Sequence, residues 1–369
     1  MEKLKRIDKI DNEYWNIVKG IGIILVVVAH LWLDLTRYLY IFHLPLFFFV
    51  SGYLYNEEKY GDNPYNLLTN RLKTSWAKYV LYYWVVILLH NVLLELKLEY
   101  LWTKPYSFSD VCIKMVGVLF GSGEGAFGLT LWFVPVLVIS TCLLGFIVYY
   151  SRNVYEHTNN TLLKYGFQFL CILILTLIGY YFEKEKLMMH ANAHVSLVVM
   201  PFLWGGYLLR NSKIDFKKYL FLIPSVIFGI IIYFVKERYW FDLVLQWIYP
   251  YMHIVAFLGI YMCLYVAKQI QRFPKAVKVF AMYGKASFWI MFVHLPLCRT
   301  FDWAYLNLFD KEHFEELYVV IDTVVFAEKW WPIYIFIGLG VSMLMYLAGQ
   351  KIRTGMKKIV GNWSVNHEK

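Results

Sequence analysis

Residues 16–53 read NIVKGIGIILVVVAHLWLDLTRYLYIFHLPLFFFVSGY, and this stretch decides the fold. It consists of two apolar segments, near residues 17–35 and 39–55, joined by a short connector. Uncharged apolar runs of about 18 residues or more predict transmembrane helices. A charged side chain near the centre of a bilayer costs about 2.5–3.5 kcal/mol on insertion scales, so an ionisable residue there indicates function. Four such residues interrupt the stretch: Lys19, His30, Asp34 and His43.

The composition of the whole chain is that of a membrane protein. Its 369 residues are 60% hydrophobic and 17% charged, whereas soluble domains carry about 25% charged residues. Eight further apolar runs lie near residues 75–94, 129–150, 165–182, 195–209, 219–235, 250–267, 286–301 and 333–349. We therefore expect an all-α, polytopic integral membrane protein in which residues 1–369 form a single domain with about ten transmembrane helices.

The basic residues indicate the topology. The net charge is +10, and most of the 36 Lys and Arg residues fall in alternate loops and at the two ends of the chain. Because cytoplasmic loops carry an excess of Lys and Arg, this pattern places both termini in the cytoplasm. The bases form no single face, which argues against nucleic acid as a partner and for the lipid bilayer. No CxxC pair occurs among the five cysteines, so neither a disulfide framework nor a metal site is predicted.

Three segments outside the apolar runs have their own expected roles. Residues 1–16 form a polar, amphipathic arm on the cytoplasmic side, and the apolar segment after it is too long for the core of a cleavable signal. Residues 95–128 and 302–331 mix aromatic with polar side chains, and both are expected on the outer face as interfacial helices or lids. Trp330 and Trp331 fit an aromatic anchor at the membrane surface.

Lys19 and His30 share one face of the first predicted helix. Eleven steps of about 100° return to within about 20° of the same direction, about 16 Å along the axis. Asp34 follows His30 at i+4, where a carboxylate would accept the second ring N–H of a general base. The alternatives are a Lys19 that extends to the inner interface and a His30 packed on a backbone carbonyl.

Four more residues are candidates. His43 lies near the outer connector, at the depth of His30, and His294 in the ninth span is expected to reach the same cavity or to sit at the kink before Pro296. Arg71 precedes the third span on the cytoplasmic side, where it either binds phosphate or only sets the topology. Trp132 lies in the LWFVP run that follows the glycine cluster 121–128.

These motifs resemble the membrane-bound acyltransferase 3 family, and within it the bacterial fucose or capsular-polysaccharide O-acetyltransferases. The features that carry the resemblance are the IDKID arm, VKGIGIILVVVAH, FHLPLFFFVSGY and the NRLK segment before the third span. LWFVPVLV at 131–138 and GKASFWIMFVHLPL at 284–297 match weaker landmarks. The strong motifs cover about the first eighty residues, and the ten-span layout covers the whole chain.

The resemblance implies a membrane-bound O-acyltransferase of the bacterial plasma membrane. Its donor is acetyl-CoA or another short acyl-CoA, and its acceptor is a hydroxyl of a cell-surface glycan or of a lipid-linked precursor. His30 falls on the family's essential histidine, which would be the general base with Asp34 behind it. Lys19 and Arg71 fall on positions that bind CoA, although the family often has Arg where Lys19 stands. His43, Trp132 and His294 would then shape the acceptor pocket, and no metal is implied.

Two rival functions also fit the sequence. In a transporter, Lys19, His30 and Asp34 would form a proton or substrate path, and inverted repeats would place a broken helix in each half of the chain. The similar strings FHLPLF at 42–47 and VHLPLC at 293–298 hint at such a repeat. In a non-catalytic subunit of a polysaccharide export complex, these ionisable groups would have no evident purpose.

Overall fold

The computed structural model describes residues 2–31, 35–99, 103–123, 125–212, 214–238, 251–309, 311 and 327–367, and the regular structure in these ranges is entirely helical. This confirms an all-α protein. The α-helices are α1 Glu2–Ala29, α2 Leu35–Tyr40, α3 His43–Tyr53, α4 Glu57–Tyr60, α5 Pro64–Arg71, α6 Ala77–Glu95, α7 Phe108–Leu119, α8 Phe133–Thr158, α9 Thr161–Lys184, α10 Ala193–Val198, α11 Met200–Asn211, α12 Leu222–Arg238, α13 Met252–Ile270, α14 Pro274–Phe309, α15 Ala327–Ile335 and α16 Ser342–His367. Two π-helical segments, Leu72–Trp76 and Phe336–Val341, join α5 to α6 and α15 to α16.

The membrane-spanning helices are fewer than the ten apolar runs. Within the described residues, seven helices are long and apolar enough to cross a bilayer, and an eighth span results if the bent pair His190–Val198 and Met200–Asn211 is counted as one. In the described residues each of the ten runs nevertheless falls mainly on helix. The two others fall short because α3 has only 11 residues and because the apolar part of α12, Leu222–Val235, is also short.

The 52° bend between α10 and α11 has a local cause. Pro201 lies in the first turn of α11 and has no backbone N–H to continue the helix across the break. The Val198 carbonyl at the break accepts a hydrogen bond of 2.8 Å from His253 Nε2 instead. A hydropathy window cannot register this bend, because the run 195–209 is apolar throughout.

The first helix ends earlier than expected. The apolar run predicts helix through residue 35, but α1 ends at Ala29 and His30 and Leu31 form a turn. The polar arm is continuous with the span, since α1 begins at Glu2. Asp34 lies outside the described residues. The i+4 geometry proposed for it assumed that the helix continued past His30, which it does not.

The two outer segments are described unequally. Residues 95–128 contain α7, whose 12 residues are too few to span a bilayer. This segment is fastened to α14, because Arg299 Nε donates to the Leu98 carbonyl at 2.8 Å and Trp303 Nε1 donates to the Leu96 carbonyl at 2.5 Å. Most of 302–331 lies outside the described residues.

Two glycines let α1 and α14 cross with their backbones in contact. A Cβ on Gly20 would overlap the Phe280 carbonyl oxygen, and one on Gly284 would overlap the Asn16 carbonyl oxygen. Since backbone atoms cannot rotate away as a side-chain tip can, this approach requires glycine at both positions. The crossing sets the register between α1 and α14, the two helices that carry Lys19, His30 and His294.

Gly284→Ala should therefore destabilise the protein. The added methyl group forces the two helices apart, and overpacking of this kind costs about 1–3 kcal/mol. Thermal unfolding in detergent, followed by tryptophan fluorescence, measures the effect. Gly349→Ala in α16 is the matched control, because no atom lies within 4 Å of the position its Cβ would take. Equal transition midpoints for the two variants would contradict the proposed crossing.

Candidate active site

His30 lies at the end of α1 beside two aromatic rings from other parts of the chain. The ring centroid of His294 on α14 is 5.3 Å from that of His30, with the two planes tilted by 36°. On the other side, Tyr40 Oη is 3.4 Å from His30 Nδ1. The Tyr40 ring in turn packs edge-on against His43, with centroids 5.0 Å apart. The structure thus brings His43, Tyr40 and His294 together around His30, and we call these four residues the histidine cluster.

The two HLPL histidines are held in the same way. His43 Nδ1 is 2.7 Å from the Leu39 carbonyl oxygen, and His294 Nδ1 is 2.8 Å from the Ile290 carbonyl oxygen. Each bond runs back four residues and needs a proton on Nδ1, because a carbonyl oxygen can only accept. In the neutral ring, Nε2 therefore carries the lone pair. Both side chains are 1% exposed, whereas His30 is only partly buried.

The cluster does not form a chelating group. Within the described residues, no three His, Cys, Asp or Glu side chains are arranged to hold a metal ion. Two of the three histidines already use Nδ1 on backbone carbonyls. The arrangement instead offers imidazole nitrogens with lone pairs that can take up a proton, which is the chemistry of a general base.

Tyr40 is a site residue that sequence reasoning missed. It stands three positions before the FHLPLF histidine, on the six-residue helix α2, and it is one of 31 tyrosines in the chain. In a chain so rich in tyrosine, residue type alone carries no signal. Its position between two intramembrane histidines in the sequence was the available indication.

Lys19 lies at the α1–α14 crossing, between Asn16 and Gly20. It is partly buried, and Lys285 on α14 is close enough to interact with it electrostatically. Lys78 on α6 places its Nζ 5.1 Å from the ring centroid of Phe288, within one turn of Lys285. We call three residues the lysine group: Lys19, Lys78 and Lys285. An anion bound beside them would neutralise their like charges. Lys19 lies on α1 and His30 directly follows its last residue, about 16 Å further along the helix axis.

Arg71 does not join the lysine group through its described contacts. Its electrostatic neighbours are Tyr60 and Cys142, which lie on α4 and α8. The guanidinium is largely enclosed, and its Nε is buried with no hydrogen-bond partner. A buried donor without a partner is costly, so a ligand oxygen at this position would be favourable. Lys19 and Arg71 therefore have different neighbours in the structure.

The described ring contact of Trp132 is with Phe133, at 6.4 Å between ring centroids. It does not involve the histidines. Phe133 packs against Phe48 of α3, with centroids 5.0 Å apart. Two residues before Trp132, Thr130 Oγ1 donates to the Met291 carbonyl on α14 at 2.8 Å. The LWFVP run is therefore fixed to both helices that supply the HLPL histidines.

The fold and these residues define a multi-pass membrane protein with a buried cluster of basic side chains. Comparison with protein families matches residues 12–349 to the acyltransferase 3 family, described as an acyltransferase domain. Because the match covers nearly the whole chain, the chain belongs to this family and is a membrane acyltransferase. Comparisons with curated proteins and with solved structures gave no match.

Proposed function

We propose that the protein transfers an acyl group, most favourably acetyl, from acyl-CoA to a hydroxyl of a cell-surface glycan or of its lipid-linked precursor, with His30 as the general base. The observation that carries this proposal is the position of His30. It stands in the histidine cluster just past the end of α1, and Lys19 of the lysine group lies eleven residues earlier on the same helix. A long donor with an anionic head and a reactive thioester fits that distance.

The reaction needs one proton carrier. As the acceptor oxygen attacks the thioester carbonyl carbon, His30 takes the hydroxyl proton and the C–O bond forms. The tetrahedral intermediate then collapses, the C–S bond breaks, and the departing thiolate regains the proton from the His30 imidazolium. The products are an ester and CoA with a free thiol, so no other reactant is required.

The donor would be held by charge. The CoA phosphates would lie at the lysine group, with Arg71 as a second contact, and the pantetheine arm would run along α1 to His30. Lysine binds phosphate as a point charge on a flexible stem rather than as a planar fork. The positive-inside pattern supports this orientation, because it predicts Lys19 on the cytoplasmic side of the membrane, where acyl-CoA is found.

The acceptor would be held on the outer side of the same cluster. His43 and His294 flank His30 through Tyr40 and through direct ring packing, and Trp132 is fixed near α14 by the Thr130 bond. Aromatic and imidazole side chains suit a sugar, which offers both C–H faces and hydroxyl donors. Asp34 stays a proposed partner of His30.

The experiment that tests the function uses purified protein, acetyl-CoA and a panel of bacterial glycans. We expect free CoA thiol and an acetylated glycan, detected by mass and by alkaline release, in equal amounts. Acetyl-CoA cleavage without an acylated glycan would contradict the proposal. Solute flux in liposomes that depends on Lys19 but not on CoA would favour a transporter, although only one bent helix pair occurs among the described residues.

Tyr40→Phe should lower the kcat of this reaction by about 2- to 10-fold. It removes the hydroxyl 3.4 Å from His30 Nδ1, and a hydrogen bond of this kind contributes about 0.5–1.5 kcal/mol. Tyr38→Phe is the matched control on the same helix, because its hydroxyl points to Met262 Sδ rather than to a histidine. Equal kcat values for the two variants would show that Tyr40 does not position His30.

A further inference from the structure

One buried nitrogen in the histidine cluster has no partner. His294 is 1% exposed, and its Nδ1 already satisfies the helix by donating to the Ile290 carbonyl. Its Nε2 is buried and makes no hydrogen bond. Among the histidines of the described ranges, this is the only buried ring nitrogen without one.

The unpartnered atom has a defined requirement. With the proton on Nδ1, Nε2 is a lone-pair acceptor. A buried acceptor left unsatisfied costs about 1–3 kcal/mol, so a hydrogen-bond donor in this space would be favoured. A hydroxyl meets the requirement without introducing a charge into a buried site.

The same hydroxyl cannot serve both His30 and His294. A hydroxyl has a single proton, and in the proposed reaction that proton goes to His30. A second hydroxyl on the same acceptor would supply the donor that His294 Nε2 lacks. Because the two ring centroids are 5.3 Å apart and a hydroxyl approaches its acceptor to about 2.8 Å, the second group has to be a close neighbour of the first.

We infer that His294 Nε2 binds a second hydroxyl of the acceptor, adjacent to the one that is acylated, so that the enzyme selects sugars with neighbouring hydroxyl groups. This inference rests on the proposed function. His294 then touches the substrate, and it fixes which hydroxyl faces His30. It acts on acceptor recognition, whereas the lysine group acts on the donor.

The test follows the logic of a double-mutant cycle: it combines a substitution at His294 with removal of one hydroxyl from the acceptor. The variant is His294→Asn, whose side-chain amide can still donate to the Ile290 carbonyl but has no atom at the Nε2 position. The acceptors are the methyl glycosides of fucose, galactose and rhamnose, each compared with its monodeoxy derivatives. For the glycoside that the natural protein acylates best, we expect removal of one hydroxyl next to the acylated one to lower kcat/KM by about 10- to 100-fold.

In His294→Asn, the intact glycoside should already react more slowly by a similar factor, and loss of the same hydroxyl should then change kcat/KM less than about threefold. If His294 had a purely structural role, His294→Asn would lower kcat/KM for the intact and the deoxy glycoside by the same factor. The ratio between the two acceptors would then equal that of the natural protein. Equal deoxy effects in the two proteins, or a natural protein insensitive to every deoxy derivative, would overturn the inference. The deoxy series on the natural protein needs no variant, so it can overturn the inference even if His294→Asn fails to fold.

The failures of the two proposals are distinguishable. If the natural protein acylates a glycoside but shows no coupling to His294, only the inference is wrong. If it acylates no glycoside, and acetyl-CoA is either hydrolysed or not cleaved at all, the proposed function and the inference are both wrong.

Discussion

His30→Gln should lower the kcat of acyl transfer by about 10²- to 10⁴-fold, which is the usual contribution of a general base. Glutamine keeps a polar side chain of similar reach at the end of α1, but it cannot take up a proton. Because the lysine group is untouched, the Kd of acyl-CoA should stay close to that of the natural protein. The measurement is kcat from release of CoA thiol, combined with acyl-CoA binding by calorimetry.

A control substitution at another histidine separates loss of the base from a general loss of folded protein. His157 near the end of α8 also bonds a carbonyl four residues back, at 2.7 Å from Asn153, but it is exposed and far along the chain from the cluster. His157→Gln should leave kcat unchanged. A His30→Gln variant that turns over at the rate of His157→Gln would show that His30 is not the base.

The second large effect is expected at Lys19 and concerns donor binding. Lys19→Gln should raise the KM for acetyl-CoA by about 10- to 100-fold with little change in kcat, because a hydrogen bond to a charged group contributes about 1.5–3 kcal/mol. Lys19→Arg should retain most of the affinity, since the charge remains. The reading of KM as binding holds if chemistry is slow compared with dissociation of the donor.

Two comparisons make the Lys19 prediction specific. Acetyl-pantetheine lacks the nucleotide phosphates of acetyl-CoA, so its KM should differ little between the natural protein and Lys19→Gln. Lys351→Gln, at an exposed lysine on α16, controls for loss of one positive charge. If Lys19→Gln weakens both donors equally, or if it lowers kcat alone, the phosphates do not lie at the lysine group.

Much of the architecture could be predicted because membrane physics acts on short windows of sequence. In the described residues each of the ten apolar runs falls mainly on helix, and His30 directly follows the helix that carries Lys19. His30 and His43 lie near the same connector in the sequence, and both contact Tyr40 in the structure. What hydropathy could not show is where a helix stops or bends inside an apolar run, as at Ala29 and at the break before Pro201.

The candidate site was only partly predictable, because its contacts join distant parts of the chain. Nothing local in the sequence shows that His294 lies 5.3 Å from His30 across 264 positions, and the Gly20 and Gly284 contacts that align their helices look like ordinary small residues. Tyr40 was hidden by the abundance of tyrosine. Arg71 and Lys19, which the family resemblance groups together, have different neighbours in the structure.

The most direct test of the account is a single turnover with acetyl-CoA labelled in the acetyl group, quenched at intervals, in the natural protein and in His30→Gln. We predict that the label passes from CoA to a glycan ester in one phase in the natural protein, with no labelled protein, and that it stays on CoA in His30→Gln although the donor remains bound. Label that reaches the glycan equally fast in both proteins, or that first accumulates on the protein, would contradict direct transfer with His30 as the base.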